Sequence, residues 1–560
     1  MKHLRRTWRS AIGLAALLII LTACASAPPT TAPRADQPTA PAPAVMPTIP
    51  TASASRLDTT ALDTFVQLMM EIYDVPSSAI ALVQNGQIVF THAYGVRDTT
   101  TKQPVTTRTM FALGSLTKSF TSLGVMLLVQ DGKVKLDEPV VTYLPEYRLS
   151  DPAATPKVTV RHLLNHTTGL AYDGSTISNQ GMTPDQLFAL VAHIPVIHAP
   201  GTTFTYNNVN TDIAGQLIER VSHQPYEEFI RTRIFAPLGM QNADLNFIRL
   251  PTKPDYSAFH QIDVTTGMQP IPFYPIGVDM PAAGVIANVE DMARYVAFQL
   301  SGQRADGSVL LGRELLAELH TRHVSAAGPW TTPESAMAAA RQQGLPALET
   351  LLSDPGYAFY WLTNDFEGHP MVWHDGGGAG FVTNITLLPE VNAGVVILTN
   401  ADRASGFTET VRQHMAEELL NIQPRHDTLA IVEAQMKLLG QDVASRDARL
   451  KAARAFVPDP AALEKLAGEY QVPGAGTPAS VRVIDGRQLQ ITGEFPGVGH
   501  QASLVPYESN AFLINSGDLK GSGRIVFDSD QAGSTTIKLL FGGQPPIPLA
   551  RRSARPTAER

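Results

Sequence analysis

Three short stretches of this chain carry side chains able to do chemistry together. The first is Phe111-Ala-Leu-Gly-Ser115-Leu-Thr-Lys118-Ser-Phe. Positions three apart share one face of a helix, so Ser115 and Lys118 can meet. A lysine held beside a serine and partly desolvated helps activate that hydroxyl as a nucleophile. The start of a helix adds a field that favours developing negative charge. The second stretch is Tyr206-Asn207-Asn208, behind Pro200-Gly201-Thr202 and Phe204. On an irregular turn, a tyrosine and an amide two residues apart can enter one cleft. A phenol, with a reference pKa of about 10, is a poor base until a cation lowers it; Lys118 would be that cation. The third is Trp373-His374-Asp375-Gly376-Gly377-Gly378-Ala379-Gly380-Phe381. Glycines beside a site let a substrate approach and expose N–H groups for an oxyanion. Taken singly, each stretch also reads as ordinary structure: an N-capping serine with a surface lysine, a packed tyrosine beside an asparagine turn, a glycine-rich hairpin. A phosphate loop is excluded for the third, because no helix follows and no Gly-Lys-Ser/Thr is present.

The elements that must position these groups follow from periodicity. Leu62, Phe65, Leu68, Met69 and Ile72 recur at helical spacing. Ile80–Val83 and Gln87–Thr91 flank Asn85-Gly86, a hairpin signal. An amphipathic helix is predicted after Ser115, running to Gln130 and stopping at Asp131-Gly132. Mostly helical and irregular sequence continues to about residue 350. Strands are predicted at Tyr357–Leu362, Met371–Trp373, Phe381–Leu388 and Gly394–Leu398, with a closing helix at Glu409–Leu420. Residues 57–422 therefore read as an α+β domain: an antiparallel sheet flanked by helices, its edges from both chain ends, beside a mostly helical lobe. Residues 423–459 read as a helical connector. In 460–550, the stretches Val481–Ile484, Gln488–Ile491, Ala511–Ile514, Arg524–Phe527 and Thr536–Leu540 alternate between turn signals, which argues for a small all-β domain. Residues 551–560 form a tail.

Ser-x-x-Lys, then Tyr-x-Asn about ninety residues on, then His-x-Gly on a late strand resembles the serine β-lactamase and penicillin-binding-protein-like superfamily, in its class C, esterase and D-aminopeptidase-like branch. His162-Leu-Leu-Asn165-His166-Thr-Thr-Gly169-Leu170, Ile234-Phe-Ala-Pro-Leu-Gly239-Met240, Asp291-Met-Ala-Arg-Tyr295 and Gly380-Phe-Val-Thr-Asn-Ile-Thr-Leu-Leu-Pro389 are similar to that family too. The resemblance spans roughly residues 57–420. It implies that Ser115 is the acylated nucleophile, Lys118 its partner and Tyr206 the proton-transfer residue. Asn208 would hold the substrate amide, and the N–H groups of Ser115 and Gly377 would form the oxyanion hole. His374 and Gly376 occupy strand positions where β-lactamases usually carry Lys-Thr-Gly. No metal or cofactor is implied; His162 and His166 lack a paired ligand pattern and read as structural. With a reference pKa of about 6.5, His374 is expected to be a minor cation at pH 7 and a major one at pH 5.5. It is also expected to donate a hydrogen bond to an ester or amide oxygen when neutral. The resemblance thus implies a serine hydrolase acting through an acyl-enzyme on an ester or amide, of esterase or D-amino-acid peptidase type. Its substrate would be a small ester, an amide or a peptidoglycan-derived peptide. The alternatives are a β-lactamase or D,D-carboxypeptidase, and a non-catalytic peptidoglycan-binding or sensor protein. The small β domain is similar to lipocalin-like extensions, entered at Leu466-Ala-Gly468-Glu-Tyr470.

Composition narrows the rest. Among 560 residues, 44% are hydrophobic and 17% charged, which excludes a disordered chain and a multi-pass membrane protein. The net charge of −8 leaves no basic excess for nucleic acid. The single cysteine, Cys24, excludes an internal disulfide and a cysteine-based zinc site. Lys2, Arg5, Arg6 and Arg9 precede an apolar run from Ala11 to Leu21, then Leu21-Thr22-Ala23-Cys24. Residues 1–24 resemble a bacterial lipoprotein signal with its lipobox, in which Cys24 is lipidated; an ordinary cleaved signal is the other reading. Arg5-Arg6 is a poor match to twin-arginine export. Residues 25–56, rich in Ala, Pro, Thr and Ser, read as a tether. The expectation is an extracytoplasmic protein, lipid-anchored to a bacterial membrane.

Overall fold

In the computed structural model, the described residues are 58–551, apart from 172–181, 264–266, 274–278, 327–354, 403, 424–426, 472–478, 496–498, 516–522, 530–534 and 541–546. The signal with Cys24, the tether at 25–56 and the tail beyond 551 lie outside them.

Helix α1 (Thr59–Tyr73) buries Leu62, Val66, Met69 and Tyr73, one stripe at spacings of three and four. Asp58 caps it, its carboxylate accepting the N–H groups of Thr60 and Ala61, each at 3.0 Å. The stripe lies on an eight-stranded antiparallel sheet. Its strands are β1 (Ser77–Gln84), β2 (Gln87–Gly95), β3 (Val324–Ser325), β4 (Gly356–Tyr357), β5 (Leu362–Phe366), β6 (His369–Gly378), β7 (Phe381–Leu388) and β8 (Ala393–Thr399). Their spatial order is β2-β1-β8-β7-β6-β5-β4-β3. The N-terminal hairpin docks on the last strand, from Ser78↔Thr399 to Gln84↔Ala393. The two ends of the domain therefore meet inside the sheet instead of forming its two edges. One edge is β2 and the other is β3, from the middle of the chain.

The strand expected at Tyr357–Leu362 is mostly a turn. Tyr360 takes φ +61, and Ala358 N–H bonds the carbonyl of Trp361 at 2.8 Å. All five residues from Tyr357 to Trp361 are fully buried. A short run of buried apolar residues reads as a strand whether or not its backbone is extended, and here it is a turn folded into the core.

The longest of the domain's further helices are α2 (Thr117–Gln130), α3 (Asn208–Ser222), α4 (Val289–Ser301) and α5 (Ser405–Leu420). Helices α1 and α5 share one core with one face of the sheet. Helices α2, α3 and α4 share the larger core on the other. Helix α2 departs from the amphipathic expectation: every residue from Thr117 to Leu128 is buried. It is a central helix surrounded by protein, and its Thr and Ser residues point into hydrogen bonds instead of water. Helix α6 (Thr428–Ala453) follows, with Val432 in the core shared by α1 and α5 and with Leu450 and Ala453 against Val505 and Leu513.

The chain then forms a closed eight-stranded barrel: β9 (Gly468–Gln471), β10 (Ala479–Ile484), β11 (Gln488–Phe495), β12 (Gly499–Pro506), β13 (Ala511–Ile514), β14 (Arg524–Ser529), β15 (Thr535–Leu540) and β16 (Ile547–Arg551). Strands β9, β12 and β16 were not apparent from alternation, yet closure pairs β9 with β16 and removes both edges. Tyr470, Leu489, Leu504, Phe512, Ile525 and Ile537 are all fully buried in it, so the described interior is a packed core.

Candidate active site

Ser115 stands in a single 3-10 turn, Gly114–Leu116, directly before α2. Gly114 is left-handed at φ +56, and a Cβ there would lie 2.7 Å from the Gly377 nitrogen. Only glycine permits that approach. One turn on, Lys118 is fully buried. Its Nζ donates to Ser115 Oγ at 3.0 Å and to the carbonyl of Ala282 at 3.0 Å. Helix α2 holds that carbonyl segment in two further places. Thr121 donates its hydroxyl to the Pro281 carbonyl at 2.6 Å, and Thr117 Oγ1 accepts the Val285 N–H at 3.0 Å. Lysine is therefore fixed from both ends.

Tyr206 precedes α3, and Asn207 is the helix cap: its side chain accepts the Val209 N–H at 3.0 Å and donates to the Ala171 carbonyl at 2.9 Å. That cap aims Tyr206 across the cleft, where its hydroxyl donates to Ser115 Oγ at 2.9 Å. Lys118 Nζ lies 5.0 Å from the centre of the same ring. Asn208, buried, opens α3 two residues beyond the tyrosine. The structure thus brings Ser115, Lys118 and Tyr206 into direct contact and places Asn208 on the adjoining helix end.

Strand β6 forms the facing wall. Gly376 lies so close to the Ser115 turn that a Cβ would sit 1.9 Å from the Leu113 carbonyl oxygen. Thr383 of β7 secures that carbonyl with a 2.8 Å hydrogen bond. Gly377 is exposed and open on its Cα side, with its nitrogen beside Gly114. His374 shares the face of Gly376, two residues along.

His374 differs from expectation in two ways. Its Nδ1 is 2.5 Å from the Asp375 carbonyl oxygen, which can only accept, so Nδ1 carries the proton. Its Nε2 lone pair then accepts the Tyr357 hydroxyl at 3.2 Å. Both nitrogens are engaged within the protein, leaving none to donate to an ester or amide. Burial, reinforced by the Lys118 charge, pushes its pKa down to about 3. His374 is therefore neutral at pH 5.5 as well as at pH 7, because the expectation of a cation used a solvated ring and this one is 4% exposed.

On the opposite face of β6, Asp375 accepts from Asn384 Nδ2 at 2.7 Å, and burial raises its carboxyl to about 6. Arg412 stacks 4.3 Å from the Trp373 ring centre on that face, away from Ser115. His162 accepts the Thr159 N–H at 3.3 Å and packs under Gly201, a local structural role. Among the described residues, no group of three or more His, Cys, Asp or Glu side chains comes together as a metal site. Sequence reasoning missed Tyr357, concealed in an aromatic run read as a strand, and Ala282, which contributes only a backbone carbonyl.

The Beta-lactamase family matches residues 62–419. The chain belongs to that family. The match runs from within α1 to the end of α5, all but a few residues of the sheet-and-helix domain, and stops short of α6 and the barrel. Relatives include "Protein flp" of Staphylococcus aureus (strain MW2), 24% identical over 382 residues, covering 67% of this chain and 69% of that one. Another is "Unguisins hydrolase ungD'" of Aspergillus campestris (strain IBT 28561), 27% identical over 376 residues, covering 64% and 65%. Among solved structures, the octameric penicillin-binding protein homologue from Pyrococcus abyssi aligns with a TM-score of 0.56 at 23% identity, over 88% of this chain and all of that one. That likeness shows the fold. Membership of the Beta-lactamase family and a relative named as a hydrolase support a serine hydrolase.

Proposed function

We propose that this protein hydrolyses an ester or amide through an acyl-enzyme on Ser115, with a substrate that is uncharged where it meets β6. The observation that carries the reading is Ser115 Oγ, 3.0 Å from Lys118 Nζ and 2.9 Å from the Tyr206 hydroxyl. In acylation the Lys118–Tyr206 pair acts in the form that has lost one proton to solvent, so that Oγ bonds to the carbonyl carbon as its own proton passes to the pair. The N–H groups of Ser115 and Gly377 stabilise the oxyanion. The C–O or C–N bond then breaks, and the leaving group takes a proton from the same pair. Water attacks the acyl-enzyme by the reverse proton path and releases the acid.

His374 favours the esterase or D-amino-acid peptidase reading over a β-lactamase or D,D-carboxypeptidase. Substrates of the latter carry a carboxylate that a fixed cation would meet, and His374 is neutral with both nitrogens occupied. Covalent labelling with a fluorophosphonate, with Ser115→Ala as control, tests the nucleophile. Label retained in Ser115→Ala, or absent from wild type, would count for a non-catalytic binding or sensor protein. A panel of p-nitrophenyl esters, D-aminoacyl amides and nitrocefin then ranks the substrate classes.

The lipobox at Leu21–Cys24 supports an extracytoplasmic, membrane-anchored location. Dual acylation anchors firmly because each buried methylene contributes about 0.8 kcal/mol. Wild type should partition into detergent and Cys24→Ala should not; equal partitioning of the two would remove the anchor.

A further inference from the structure

Behind Tyr206 lies a residue that the reaction above does not use. His166 is fully buried, with its backbone left-handed at φ +56. Its carbonyl accepts the N–H of Thr205, the residue before Tyr206, at 2.9 Å. Its ring centre lies 4.8 Å from that of Tyr206. Asn210, in the first turn of α3, donates its amide to Nδ1 at 3.3 Å, and Thr168 orients that amide by donating to its Oδ1 at 3.0 Å. With Nδ1 accepting, the proton of the neutral ring is on Nε2. That N–H is buried with no hydrogen-bond partner among the described residues. On the other side, the Tyr360 ring is 5.0 Å away. Tyr360 is itself left-handed, and its N–H bonds the Leu164 carbonyl at 3.0 Å.

A residue kept for packing alone would be different. Phenylalanine would fill the cage without an unpaired N–H, and glycine would take the backbone without strain. Two left-handed, non-glycine residues face each other here, directly behind the proton-transfer tyrosine. Such unfavourable features persist where the surroundings hold them in place, and they concentrate at functional sites.

We propose that His166 is a positioning residue for Tyr206: it ties the loop bearing Tyr206 to the first turn of α3 and to the 357–361 turn, holding the phenol oxygen 2.9 Å from Ser115 Oγ. Burial and the nearby Lys118 charge keep the imidazole neutral, so it adds no second cation to the cleft. The inference rests on the role given to Tyr206 in the acyl-enzyme reading.

The test is a double-mutant cycle on His166→Asn and Tyr206→Phe, read by the fluorophosphonate labelling rate of Ser115 and by kcat and KM for a p-nitrophenyl ester. Asparagine tolerates a left-handed backbone but lacks the ring. His166→Asn should lower kcat and the labelling rate by roughly 10–10², with KM within about threefold, as expected for a small misplacement of a reacting group. In the Tyr206→Phe background the same change should have an effect below about twofold, since no hydroxyl remains to be positioned. Thermal unfolding of each variant separates this from general damage. If His166→Asn does not fold, His166→Phe keeps a ring and removes the Asn210 tie, and the same cycle is read on it. Losses that add in the double variant, or no loss in a folded single variant, overturn the proposal. Label that survives Ser115→Ala overturns the acyl-enzyme reading itself, whereas additive losses with Ser115→Ala silent remove only the role of His166.

Discussion

Replacing Gly376 by alanine should be far more damaging than the same change one residue along. The new Cβ would sit 1.9 Å from the Leu113 carbonyl oxygen and 2.4 Å from Thr383 Oγ1. An ordinary carbon–oxygen contact is about 3.3 Å or longer, so strand β6 and the Ser115 turn must separate by about 1.4 Å. Neither side yields cheaply. The Leu113 carbonyl belongs to the backbone leading into Ser115, and its hydrogen bond to Thr383 anchors it to β7. The separation draws the Gly377 N–H away from Ser115. A misplacement of this size costs on the order of 10² in rate, or about 2.7 kcal/mol of transition-state stabilisation. Overpacking should also lower stability by about 1–3 kcal/mol. In Gly377→Ala, by contrast, the nearest atom to the new Cβ is the Phe381 oxygen at 3.8 Å, and the N–H is retained. The assay is kcat for a p-nitrophenyl ester in both variants, beside urea unfolding of each. A folded Gly376→Ala protein with activity within about threefold of wild type would refute the reasoning, because it would show that β6 need not touch the Ser115 turn.

Lys118→Ala and Tyr206→Phe should each slow acylation by roughly 10²–10⁴, with losses far from additive because both act on one proton; stopped-flow labelling of the single and double variants checks this. Because His374 holds a pKa of about 3, it stays neutral from pH 8 down to pH 5. The kcat/KM ratio for a carboxylate-bearing ester over its neutral analogue should show no histidine-dependent rise on acidification, and His374→Gln should leave that profile unchanged in shape. Burial lowers His320 to about 4. Between about pH 6.5 and 4 the unfolded state binds the extra proton, so stability falls as pH drops through that window, by at most about 1.4 kcal/mol per unit from this group. Urea unfolding at pH 7 and pH 5 should show a smaller difference in His320→Gln than in wild type.

Side-chain types and order carried much of the site. Ser115, Lys118 and Tyr206 stood out through the order of three motifs and the resemblance that order carries, since spacing alone left each stretch readable as ordinary structure; the fold brings the three side chains within hydrogen-bonding reach. The ring chemistry of His374 was not. Its charge depends on burial beside Tyr357 and Tyr206 and on the charge of Lys118, none of them neighbours in sequence. The fold was legible to a similar depth. The hairpin at Asn85-Gly86 and the late strands follow local rules, and Phe381–Leu388 was read to the residue. Three features needed tertiary information: the all-round burial of α2, the turn within Tyr357–Trp361, and the docking of β1 on β8. Hydrophobicity records that a residue is buried, not by what.

That docking governs how the protein can be made. Ser78 pairs with Thr399, so the chain must close a loop of about 320 residues before its central sheet exists. Ser115, Lys118, Tyr206, the Ala282 carbonyl and β6 all lie inside that loop. At about 5–20 residues per second, a ribosome emits β8 roughly 15–60 s after β1. During that interval β1, buried from Ser77 to Val83 in the finished protein, has only β2 beside it. Nascent chains thus carry an open apolar edge and, with their parts still unassembled, no hydrolytic activity. A chain that ends before β8 remains in that state, so β8, the last strand of this sheet to leave the ribosome, is the one that closes it over β1.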